Sequence, residues 1–268
     1  MPSHHPWNAI ILGCGYLGSK LKAALEADGM RVLGVRRRPS LDASWRSLDL
    51  EQPESWSALF DEPLSSNTLL VGIMTPDQRT QEAYQKRYVD VAQQIAVLAD
   101  AIGPRMPTLW VGSTAVFGEH QGRCVESTRP EPESWRGKLL WEAECAFAQR
   151  SRSHVLRFSG LYDQGSAGRL RNPAMRAQIG LETVSNRMHR EDAVQWLIAF
   201  ARALLTAHPM PREIHGVDQL SVTYHALFQW LDDPTQPLLA ATQGRRIATE
   251  YAELMPVLQY PTLREGLR

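Results

Sequence analysis

The chain has 268 residues, 43% hydrophobic and 22% charged, enough to bury a large core in one domain with at most a small appendage. Lys plus Arg and Asp plus Glu both number 29, so no basic excess marks a nucleic-acid or anionic-membrane surface. The three cysteines, Cys14, Cys124 and Cys145, lie far apart with no CxxC pair, which argues against a disulfide framework or a structural zinc site and fits a reducing cytoplasm.

The first residues, MPSHHPWNAI, lack the charged segment and long apolar run of a signal peptide, and His4-His5 is too isolated to suggest a metal site. Asn8–Leu12 is a short apolar run that stops at glycines, as a buried strand does. Tyr16–Asp28 then sets Leu17, Leu21, Ala24 and Leu25 on one helical face. Arg31–Val35, Leu69–Met74, Leu109–Val111 and Val155–Phe158 read as further strands, with a long helix over Tyr84–Ala101 and a later one over Trp196–Ala207. The segment from Trp196 to Leu205 is the longest apolar helix candidate, contains Arg202 and is too short to span a bilayer. Trp45, Trp56, Trp135, Trp141, Trp196 and Trp230 read as core or interface anchors. Apolar strands alternating with helices predict an α/β protein: a Rossmann-type, doubly wound parallel sheet over residues 1–160. Residues 161–268, where the alternation becomes irregular, would complete the sheet and form a small substrate lobe.

The strongest local signal is Gly13-Cys14-Gly15-Tyr16-Leu17-Gly18, set directly after the first strand and at the start of a helix. In that place Gly13 allows the tight turn, Gly15 lets backbone approach a pyrophosphate, and Gly18 lets helix and strand pack closely. The helix N-terminus then offers N–H groups and a positive dipole end to the phosphates. At the end of the second strand, where an acid would accept from the ribose 2′-OH of NAD, the chain has Arg36-Arg37-Arg38. An arginine fork suits a 2′-phosphate, so NADP(H) is preferred here and NAD(H) is the alternative. Asp49 either meets the adenine amino group or caps the next helix.

From Asn8 onward the chain resembles the extended and atypical short-chain dehydrogenase/reductases, the NAD-dependent epimerase/dehydratase-like proteins. The likeness rests on Gly13–Gly18, on Gly112-Ser113-Thr114-Ala115-Val116-Phe117-Gly118, on Val125-Glu126-Ser127 with Pro130 and Pro132, on Arg157-Phe158-Ser159-Gly160-Leu161-Tyr162, and on Asn186-Arg187-Met188-His189-Arg190-Glu191-Asp192. Gly244-Arg245-Arg246 and the stretch Tyr260–Leu267 are similar to the tail of a bacterial YeeZ-like subgroup. The resemblance implies coenzyme contacts at Gly13, Gly15, Tyr16, Leu17, Gly18, Arg36, Arg37, Asp49, Leu50, Met74, Thr75, Phe158 and Ser159. It implies substrate contacts at Thr114, Phe117, Asn186 and Arg187, and a homodimer.

By the same resemblance Ser113 takes the place of the catalytic hydroxyl. The family's Tyr-x-x-x-Lys pair should follow Pro132, but an ungapped match puts Arg136 at the tyrosine and Leu140 at the lysine. A shift of two residues recovers Lys138 but leaves Ser134 at the tyrosine. The dyad is broken. Arginine stays protonated and cannot act as a base, though Arg136 can clamp an anion. His189 is the best replacement proton donor by its intrinsic pKa, with Glu126 and Cys124 behind it. Thr114 and Ala115 stand where nucleotide-sugar dehydratases carry an acidic pair, which disfavours dehydration. Three readings follow: an NADP-dependent atypical oxidoreductase or epimerase-like enzyme on a small, anionic substrate; a coenzyme-binding sensor or scaffold without turnover; and a nucleotide-sugar epimerase.

Overall fold

The computed structural model describes residues 6–103, 105–148 and 152–267; His4-His5 lies outside the described residues. The chain forms a seven-stranded parallel sheet in the order β11-β7-β5-β4-β1-β2-β3. Its strands are β1 (Ala9–Leu12), β2 (Val32–Arg36), β3 (Trp45–Ser47), β4 (Leu69–Gly72), β5 (Thr108–Ser113), β7 (Ser153–Phe158) and β11 (Glu213–Gly216). Among the described residues, the strands outside that sheet are β6 (Gly122–Cys124), β8 (Gly160–Tyr162), β9 (Val184–Ser185), β10 (Arg187–His189), β12 (Val222–Thr223) and β13 (Arg245–Ile247). They pair as β8 with β10 and β6 with β13, both parallel, and β9 with β12, antiparallel. The doubly wound α/β reading thus stands, and the continuous apolar runs of β1 and β4 are buried along their whole length, as parallel strands covered on both faces must be.

The chain divides into two compact units. The first comprises residues 1–112, 134–156 and 197–213, and the second residues 113–133, 157–196 and 214–268. The core of the first is built from Ile10, Leu12, Leu33, Leu70, Ile95, Trp110 and Phe147 with their neighbours. Two tryptophans fill the sheet surface beside glycines on adjacent strands. Gly34 stands opposite Trp45 and Gly72 opposite Trp110, and a Cβ at either glycine would come within 2.7 Å or 2.6 Å of the indole ring. The core of the second unit gathers Tyr162, Leu170, Val222, Leu227, Trp230, Leu263 and Leu267.

Two predicted helices differ from the sequence reading. The stretch predicted as one helix over Tyr84–Ala101 is an α-helical turn, Gln81–Tyr84, a π-helical segment, Gln85–Asp90, and an α-helix, Val91–Ile102. The wide turn brings Arg87 inward, where its guanidinium meets Glu51 at 2.5 Å. The later helix runs over Arg190–Leu205 and so begins before Trp196, with Glu191 and Asp192 in its first turn, where acids suit the positive end of the helix dipole.

Candidate functional site

In the first unit, the glycine turn separates the roles of its three glycines by geometry. Gly13 has φ +91, and a Cβ on it would lie 2.0 Å from the carbonyl oxygen of Ile73, so only glycine fits. A Cβ on Gly18 would meet the Gly13 carbonyl oxygen at 2.9 Å and Ile11 Cγ2 at 3.2 Å, which holds the first helix, Tyr16–Ala27, close on β1. Gly15 differs from both: a Cβ there would meet nothing within 4 Å, while its φ of −78 with ψ of −147 lies just outside the usual β region, a backbone conformation that favours glycine. No neighbouring atom excludes a side chain at position 15. A pyrophosphate approaching the helix N-terminus would. Among the described residues no side chain caps this helix and no acid occupies its first turn, an arrangement that suits an anion at its positive end. The geometry fits a dinucleotide.

The remaining predicted coenzyme residues of this unit divide by exposure. Leu17, Leu50 and Met74 are buried, so only their backbone is free to meet a ligand; the Met74 Cε lies 3.4 Å from the Cβ position of Gly13. Tyr16 and Thr75 are exposed. Cys14 between the glycines is buried, donates to the Ile11 carbonyl, and has its thiol pushed up to about 12 by that burial. Asp49 caps its own turn, its Oδ1 accepting from the Glu51 amide at 3.2 Å.

The arginine run beyond β2 does not form an open fork. The Arg36 guanidinium lies 3.9 Å from the centre of the Trp45 ring, whose face also receives Lys22 at 4.9 Å. Arg37 is engaged two-pronged by Asp77: one arm donates to Oδ2 and the other to Oδ1 at 2.7 Å. The Arg37 hydrogen bond holds the Asp77 carboxyl below the usual range. Asp77 is a residue the sequence reading missed. Its position in the loop after β4, just beyond Thr75, was the available signal.

Arg136, also in this unit, begins the helix Trp135–Ala148, is exposed, and rests 5.0 Å from the centre of the Trp135 ring. Leu140, at the lysine position of the ungapped match, is buried.

In the second unit, Ser113 ends β5 and its Oγ accepts from the Ala115 amide at 3.2 Å, which leaves its hydroxyl proton to donate elsewhere. Thr114 is buried and donates to Ser159 Oγ at 3.4 Å. Phe117 is fully buried, edge-on to His215 at 5.1 Å and 5.4 Å from the Arg157 guanidinium, so it serves the core rather than a ligand. Phe158 packs its ring on Gly216, where a Cβ would come within 2.3 Å. Asn186 is committed to the fold: its amide donates to the Arg245 carbonyl, and its oxygen accepts from Ser221 and from the Ile247 amide, each within 2.9 Å. Arg187 donates to Ser185 Oγ at 2.8 Å and to the Tyr224 hydroxyl.

Of the predicted proton donors, His189 and Cys124 are buried and Glu126 is half-buried. His189 is 4% exposed, lies 3.9 Å from the Tyr260 ring and 5.1 Å from Tyr162, and accepts on Nδ1 from the Glu191 amide at 3.4 Å. Burial lowers its pKa, so it rests neutral among aromatic rings rather than open to a substrate. Glu126 accepts from the His215 amide at 2.8 Å, the Thr249 hydroxyl at 2.6 Å and the Glu250 amide at 2.9 Å, and so ties three segments together. Cys124 is buried, and that burial raises its thiol. Sequence reasoning missed Asp218. It is buried beside His189, whose amide it accepts at 3.2 Å, and burial pushes its carboxyl up to about 7.

Residues 9–136 match the NAD dependent epimerase/dehydratase family. That matched stretch includes the glycine turn, the arginine run, Asp77 and Ser113. No curated protein matches the chain. Among solved structures, the chain is similar to a provisionally named NAD-dependent epimerase/dehydratase from Methylobacillus flagellatus. The two are 26% identical with a TM-score of 0.74, over 97% of this chain and 96% of that one. It also shares its fold with MoeE5, solved with UDP-glucuronic acid and NAD, at 20% identity and a TM-score of 0.69, over 97% of this chain and 96% of that one. A third likeness is to TunA, an NAD-dependent NDP-hexosamine 5,6-dehydratase of tunicamycin biosynthesis, at 16% identity and a TM-score of 0.70, over 97% of this chain and 94% of that one. Among the described residues, no helix is long and apolar enough to cross a membrane.

Proposed function

We propose that this chain holds a nicotinamide dinucleotide and acts as an oxidoreductase or epimerase-like enzyme of the epimerase/dehydratase kind on a small substrate. The observation that carries the proposal is the Gly13–Gly18 turn, with open space beside Gly15 at the mouth of an uncapped helix. The Gly13–Gly18 turn would hold the pyrophosphate, while Arg36, Arg37 and Asp49 would flank the adenosine. When bound, the nicotinamide supplies the hydride acceptor or donor. Ser113, whose hydroxyl proton is not used by its own turn, would orient the reacting oxygen of the substrate. MoeE5 and TunA make a nucleotide-linked sugar the first substrate class to try. The chain's own residues argue against dehydration, because Thr114 and Ala115 offer no acid–base pair.

A second reading, a coenzyme-bound sensor or scaffold without turnover, draws on the helix Trp135–Ala148. There an exposed arginine and a buried leucine stand at the ungapped positions of the tyrosine and lysine. Calorimetric titration with NAD, NADH, NADP and NADPH tests the shared premise, and saturable binding of at least one is the expected result. No heat and no thermal shift with any of the four would overturn both readings. Coenzyme oxidation across a carbonyl panel, lost on Ser113→Ala, would favour the enzyme. Tight binding with no turnover on any substrate would favour the sensor.

A further inference from the structure

The arginine run offers residue types suited to a 2′-phosphate, yet its second member is already occupied. We infer that Asp77 is a specificity-determining residue that tilts the adenosine end of the site toward an unphosphorylated ribose, and so toward NAD(H) over NADP(H). The inference rests on the dinucleotide reading above. The end of β2 is where a Rossmann protein meets the ribose 2′-position. Here both arms of the Arg37 guanidinium donate to both oxygens of Asp77. A 2′-phosphate would have to break that two-pronged pair or settle beside a carboxylate, and either route penalises a group carrying close to two negative charges. A 2′-hydroxyl meets the same carboxylate as a donor meeting an acceptor.

The acidic surroundings reach beyond one residue. Asp77 also lies 3.6 Å from Arg87, whose guanidinium is held by Glu51 at 2.5 Å, and the charges of Asp49 and Glu51 act on Arg37 as well. Arg36 forms no salt bridge among the described residues, and its guanidinium is laid against the Trp45 face. Of these acids, Asp77 is the one whose two oxygens fill the Arg37 fork.

The test uses the full chain and two probes without nicotinamide: ADP-ribose and 2′-phospho-ADP-ribose, each titrated by calorimetry. The native protein is expected to bind ADP-ribose more tightly. Asp77→Asn keeps the side-chain shape and removes the charge. It should improve the 2′-phospho probe about tenfold relative to ADP-ribose at low salt, and the gain should shrink as salt is raised, because the groups are half exposed. Adding Arg37→Ala to Asp77→Asn should abolish the gain, since the freed guanidinium is what would receive the phosphate. Asp77→Ser should follow Asp77→Asn in direction. If both probes bind but their ratio is the same in the native protein and in both Asp77 variants, Asp77 does not set the preference and the inference falls alone. If neither probe binds the native protein, the dinucleotide reading falls with it.

Discussion

The sharpest test of the glycine turn is to place the same methyl group at two of its positions. At Gly13 the methyl would sit 2.0 Å from a backbone carbonyl oxygen at φ +91, so Gly13→Ala carries both a left-handed backbone penalty and a forced shift of the turn. Those mechanisms together imply a loss of about 3–5 kcal/mol. For a chain of this length that lowers the melting temperature by roughly 10 °C. At Gly15 the methyl meets no atom within 4 Å, and the cost comes from a ψ of −147 outside the usual β region and from alanine's poorer helix-capping character, set against the entropy it removes from the unfolded chain. The net loss should be about 1–2 kcal/mol, well below that at Gly13. Binding should behave the opposite way. Gly15→Ala puts the methyl where the pyrophosphate must approach, and a weakening of at least about tenfold toward NAD or NADP is expected, greater still for Gly15→Val. Thermal unfolding and calorimetric titration on the two variants read both quantities. A folded Gly15→Ala protein that binds coenzyme as tightly as the parent would refute the reasoning, because the open space at Gly15 would then receive no ligand.

Further expectations follow from the interior of the second unit and from the thiols. The Asp218 carboxyl is held neutral by burial up to about pH 7, whereas in the unfolded chain it ionises near 3.8. Its contribution to stability is therefore fully present below about pH 4 and is lost as pH rises toward 7, by at most about 4 kcal/mol. Asp218→Asn should flatten that part of the stability–pH curve measured by denaturant titration, and an unchanged slope would count against the buried neutral acid. Glu126→Ala removes the acceptor of three donors and should cost about 2–4 kcal/mol, whereas Glu126→Gln should keep part of it. A variant as stable as the parent would show those bonds to be dispensable. Among the thiols, exposed Cys145 should react fast with a disulfide reagent at pH 8, while buried Cys14 and Cys124 react only on unfolding. More than one fast thiol in the folded protein would contradict that picture.

The local chemistry of the first unit was legible in the sequence, because the turn that starts a Rossmann sheet is specified by consecutive residues. The Gly13–Gly18 pattern, the apolar runs of β1 and β4, and the helix between β1 and β2 need only neighbours along the chain to declare themselves. The residues that stand after Pro132, Arg136 and Leu140 among them, are equally a property of the order of residues. Side-chain commitment was not. Asn186, Glu126 and His189 carry the right chemistry for a site. Their partners at Arg245, Thr249 and Tyr260 stand far along the chain, and only folding shows that those polar atoms are already engaged or enclosed. Arg37 is the same case at shorter range: its residue type offers a phosphate a fork, and a carboxylate from the loop after β4 fills it. Sequence determines which groups are present and how successive ones are spaced. Which of them remain available is decided by long-range pairing, because a buried donor or acceptor must be satisfied by whatever the fold brings within reach.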